Sequence, residues 1–149
     1  ILLILISFSI MPFSAYAQSA EDALRFIAQG DSDNPLVKSI NFENCKSSLT
    51  IDTIFLGIVT VRNDWNKAIW NSKAYKFGEN QKVSVVISCK GKCSKYEGEG
   101  FTELMQMSAL LTGIDAEKTI QLDIASTPAR ADRALSVIQD QCAGVKSYF

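Results

Sequence analysis

Histidine is absent from all 149 residues. That removes the commonest general base, the Ser-His and Cys-His nucleophile pairs, and the commonest metal ligand. The chain also lacks a charge of one sign. It carries 15 basic and 16 acidic residues, a net charge of −1. A nucleic-acid partner calls for a strong basic excess, so none is expected. Proline is scarce, at three residues, and each marks a boundary or a break. No repeat, low-complexity tract or internal linker divides the chain. Residues 18–149 are expected to form one domain around one core.

No charge appears before Glu21. The chain opens ILLILISFSIMPFSAYAQSA, with an almost wholly apolar run at residues 1–10. Ala15, Tyr16 and Ala17 form a small-x-small site. These are the h-region and cleavage site of a secretory signal peptide, placed at residues 1–17, with Ala20 as the alternative cut. The charged n-region and initiating Met are expected upstream of Ile1. A membrane anchor is the competing reading. It needs about 20 apolar residues, and Pro12 interrupts this run. No cysteine follows the cut, so a lipid-anchored form is not expected. The mature domain is therefore expected to be periplasmic or secreted, with no membrane span.

Hydrophobic spacing then orders the elements. Ala20, Ala23, Leu24, Ile27 and Ala28 share one helical face, with Ser19 as N-cap, Asp22 three residues on and Gly30 as the stop. Alternation predicts strands over residues 37–45, 49–52, 83–89 and 119–125. Residues 54–62 are apolar on both faces, as in a central strand. Asp64 is a candidate cap for a short helical turn presenting Trp65, Ala68 and Ile69, and residues 73–77 read as a strand. Residues 101–113 fit a helix through Leu104 and Leu111 or a strand through Met105, Met107, Ala109 and Leu111; the strand is preferred. Thr127 and Pro128 open the clearest helix, with Ala131, Ala134, Leu135, Ile138, Cys142 and Val145 on one stripe. Strands flanked by helices mean α+β. The expected form is a curved antiparallel sheet or small partial barrel, with an N-terminal and a C-terminal helix packed on it. In this order of elements the chain resembles a PH-type small barrel at the level of fold, a likeness that carries no function.

Four cysteines, an even count in an exported chain, read as two disulfides with three connectivities. Cys89 and Cys93 bracket Lys90-Gly91-Lys92, which has turn composition. Zinc usually needs four ligands, often in paired units. A thioredoxin-type site needs two intervening residues at a helix start, and here there are three after a strand. The preferred reading is a disulfide across a hairpin neck, with Cys45 bonded to Cys142. Strict alternation puts Cys45 opposite Ile40 and Phe42, so a turn at Asn44 must re-aim it.

No catalytic set, metal site or cofactor is expected. The first functional expectation is a non-enzymatic binding or envelope-accessory module, with a protein or envelope component as partner. Its candidate contact residues are the aromatics Trp65, Trp70 and Tyr75 and the turn cations Lys90 and Lys92. The plainer readings are preferred residue by residue: Trp65 and Ile69 seat a short helix on the core, with Trp70 as the ring expected to be exposed, and the lysines keep a solvated turn off neighbouring edges. The second expectation is a small hydrolase using Glu97, Glu99 or Glu103. The third is a redox or copper protein using Cys89 and Cys93 with Met105 and Met107.

Overall fold

The computed structural model describes residues 19–30, 36–53, 57–78, 82–98, 111 and 113–143. The expected signal segment and residues 101–110, including Met105 and Met107, lie outside these.

Among the described residues two α-helices form where the caps place them. Helix α1 is Ala20–Gln29, and Ser19 Oγ accepts from the Asp22 N–H at 3.1 Å. It ends at Gly30, whose φ of +67° and close approach to the Ala125 carbonyl leave no room for a side chain. Helix α2 is Pro128–Cys142, capped by Thr127 with Pro128 in its first turn. Ala131, Ala134, Leu135, Ile138 and Cys142 are all buried, so the periodic stripe is the packed face. The two helices touch, with the Ala20 N–H donating to Gln141 Oε1 at 3.3 Å.

Seven strands make two antiparallel sheets among the described residues. The first has the order β1 (Val37–Glu43), β2 (Lys46–Thr53), β3 (Gly57–Asp64), β6 (Ser94–Glu97). The second has the order β4 (Ala74–Phe77), β5 (Lys82–Ser88), β7 (Thr119–Ala125). The fold is thus α+β, with both helices packed on sheet. No ladder joins the two sheets into a ring among the described residues.

Val83, Val85 and Ile87 of β5 and Ile120 and Ile124 of β7 meet Leu24, Ile27, Leu135 and Ile138 in one core. Each fully buried aliphatic side chain there contributes about 1.5–3 kcal/mol. Residues predicted by alternation to point inward do so, because only one face of the second sheet is covered by the helices.

The first sheet differs from expectation in one respect. Strand β3 is central by pairing, since it lies between β2 and β6. It is not buried on both faces, however. Val59 is buried, whereas Ile58 points outward at 62% exposure beside Thr60 and Arg62. Its two-sided apolar composition stops short of Arg62, and the outward face of the sheet is polar.

Both disulfides are present, Cys45–Cys142 and Cys89–Cys93. Asn44 and Cys45 both have positive φ, 51° and 58°, between the paired residues Glu43 and Lys46. That is a two-residue turn of the primed type. It turns Cys45 out of the strand alternation and toward the last turn of α2. The Cys89–Cys93 staple corrects the hairpin expectation. The chain leaves β5 at Cys89 but does not pair back on it. After Cys93 it enters β6, which pairs with β3 in the other sheet. The bridge therefore clamps a crossover between sheets.

A buried polar network accompanies that crossover. Trp65 Nε1 donates to Ser47 Oγ at 2.9 Å. Ser94 Oγ lies 2.8 Å from Asn63 Oδ1 and 2.7 Å from the Thr119 carbonyl, two acceptors for one hydroxyl proton. Strands β3, β6 and β7 are thereby tied across the two sheets. Among the described residues no helix is long and apolar enough to cross a membrane.

Candidate functional site

The outward face of the first sheet is set by strand alternation. Ser39, Asn41 and Glu43 of β1 share it with Lys46, Ser48 and Thr50 of β2, because Asn41 pairs with Ser48 and Glu43 with Lys46. Thr60, Arg62 and Asp64 of β3 and Lys95 and Glu97 of β6 continue it. Where this face meets the disulfide-clamped crossover lies a cleft of about 750 Å³. Asn41, Lys46, Ser48, Arg62, Lys92 and Lys95 line it. The acids Glu43, Asp64 and Glu117 also contribute.

Its electrostatics follow from three contacts. Lys92 Nζ lies 2.9 Å from Glu117 Oε2, which holds the ammonium above the usual lysine range through that hydrogen bond and charge. Lys95 Nζ is 3.3 Å and Arg62 Nε 3.5 Å from Glu97 Oε1. The Lys95 hydrogen bond, then the Arg62 charge, push the Glu97 carboxyl below the usual range. Asp64 is engaged as a cap, its Oδ1 accepting the Asn66 N–H at 3.1 Å.

The crossover is held by backbone as well as by sulfur. The Cys89 N–H donates to the Lys118 carbonyl at 3.0 Å, and the Cys93 N–H donates to the Glu117 carbonyl at 2.8 Å. Lys67 Nζ donates to the Lys92 carbonyl at 2.9 Å. The Lys90–Lys92 turn is thus anchored on both flanks.

The expected contact residues part company. Trp65 is fully buried, so its ring belongs to the core and offers nothing to a partner. It is stacked on the partly buried Trp70. Tyr75 donates from its hydroxyl to Asp132 Oδ1 at 2.5 Å and so clamps β4 to α2. Burial first, then that acceptor and its charge, push its phenol up to about 12. Lys90 and Lys92 are exposed at the turn, and Lys92 alone of the five lines the cleft. Sequence reasoning missed Asn41, Lys46, Ser48 and Arg62. The signal was there in the polar members of alternating strands, which were read only as the wet side of a sheet.

The hydrolase candidate Glu97 is held ionised by two cations, the opposite of what a general acid needs. Glu99 and Glu103 lie outside the described residues. Cys89 and Cys93 are bonded to each other. Among the described residues no three Cys, Asp or Glu side chains cluster closely enough to hold a metal ion. Compared with known proteins, the chain matches no family model, no curated protein and no solved structure.

Proposed function

We propose that this chain is a non-enzymatic, disulfide-stabilised binding module, exported to the periplasm or secreted, which holds a protein or envelope component in the cleft on its first sheet. The observation that carries the reading is the position of that cleft. It lies on a four-stranded ladder and beside a crossover closed by a disulfide. A partner binding there would order few residues that are not already ordered, which favours affinity. Its lining is polar and of mixed charge, which suits a protein surface. Two disulfides are compatible with an oxidising, extracellular environment. The signal-peptide reading of residues 1–17 supplies the route.

The test is capture from envelope extract by the mature domain and by its Ser48→Trp variant. Ser48 lines the cleft from an outward position, so the indole would fill it. The expected result is a partner recovered by the parent domain and lost by the variant at an unchanged melting temperature. Equal recovery by both would place the contact elsewhere on the molecule.

A further inference from the structure

Across the cleft floor the pairing register puts Asn41 beside Ser48, Ser48 beside Arg62, and Arg62 beside Lys95. This cross-strand row contains two cations directly opposite one another, an unfavourable pairing. Glu97 is the only carboxylate bridging them among the described residues, its Oε1 3.5 Å from Arg62 Nε and 3.3 Å from Lys95 Nζ. The Lys46 ammonium, the Ser48 hydroxyl and the Asn41 amide have no side-chain partner among the described residues. Two of the cleft's three acids are engaged, while the third, Glu43, lies opposite Lys46. Glu117 is held by Lys92, and Asp64 by the Asn66 N–H.

Resting on the binding reading above, we propose that the cleft takes an extended acidic segment of a partner protein, with carboxylates docking on the Arg62–Lys95 pair and on Lys46. The spacing fits. Lys46 lies opposite Asp64, so Arg62 is its diagonal neighbour. Diagonal neighbours across an antiparallel pair are about 7–8 Å apart. Alternate residues of an extended peptide present side chains on one face at about 6.7 Å. A Glu-x-Glu segment thus offers two carboxylates at nearly the separation of the two basic positions. Glu43, Asp64 and Glu117 line the same cleft, so a continuous polyanion such as a membrane surface or nucleic acid would meet repulsion that two discrete carboxylates avoid.

The experiment is an amide chemical-shift titration of the mature domain with a blocked Ser-Glu-Ser-Glu-Ser peptide. Peptides with Gln or Lys in place of Glu are the controls. The expected result is shifts centred on Ser48, Arg62 and Lys95 with the Glu peptide only, suppressed by added salt. Arg62→Ser and Lys95→Ser, each at an unchanged melting temperature, should weaken binding about two- to fivefold, as exposed charge pairs do. Equal binding of the Gln or Lys peptide overturns the proposal. So does Glu-peptide binding unaffected by both variants, or Arg62-dependent sedimentation with phosphatidylglycerol vesicles in place of peptide binding. If the acidic peptide fails while Ser48→Trp still loses the captured partner, the acidic specificity falls and the binding reading stands.

Discussion

The indole of Trp65 stacks on that of Trp70, with ring centroids 5.8 Å apart and planes 14° from parallel. Trp65 is fully buried and donates through Nε1 to Ser47 Oγ. The pair therefore joins the turn after β3 to the inner face of β2. Trp65→Ala should cost about 3–5 kcal/mol in urea denaturation. Ser47→Ala, which orphans the indole N–H, should cost about 1–3 kcal/mol. A loss below 1 kcal/mol for Trp65→Ala would mean that this ring is not part of the core.

The two disulfides should differ in weight. The Cys45–Cys142 bridge closes a separation of 97 residues and the Cys89–Cys93 bridge one of 4. Chain-entropy reasoning gives about 4.7 kcal/mol for the first and about 2 for the second. Replacing both cysteines of the long bridge with Ala should therefore lower stability more than replacing both of the short one. Equal losses would show that loop closure does not govern their contribution.

Gly30 meets β7 too closely to be anything else. A Cβ there would lie 2.6 Å from the Ala125 carbonyl oxygen, at a φ of +67°. Gly30→Ala should lower stability by about 1–3 kcal/mol from backbone strain, with the clash added. The readout is the thermal midpoint, and an unchanged value would mean that α1 can lift off β7 without loss.

Tyr75 gives stability a limit at high pH. Its phenol is raised by burial and by Asp132 from 10.0 to about 12. The unfolded chain ionises first, so the contribution of the neutral phenol is complete below pH 10 and is lost as pH rises toward about 12. Tyr96, raised chiefly by burial, acts in the same direction. Denaturant midpoints measured across this range should fall more steeply for the parent domain than for Tyr75→Phe. Parallel profiles would remove Tyr75 from the effect.

Helices α1 and α2 and strands β5 and β7 were legible in the sequence because their signals are local. Ser19 and Thr127 cap within three residues, Pro128 opens a helix, and a period of two or of 3.6 declares which side chains point together. The disulfide content was likewise countable. Alternation reports a face, however, and never a neighbour. That β6 crosses to β3, so that Cys89 and Cys93 clamp two sheets where a hairpin was expected, depended on pairing energies between distant segments. The same long-range pairing placed Arg62 beside Lys95 and Ser48 beside Arg62. The sequence favoured Trp65 as a core ring over a binding ring, and its burial in the turn after β3, with Nε1 donating to Ser47, agrees. Local chemistry determined the elements of this protein. The cleft was decided by tertiary structure, because it is made of residues that no sequence period brings together.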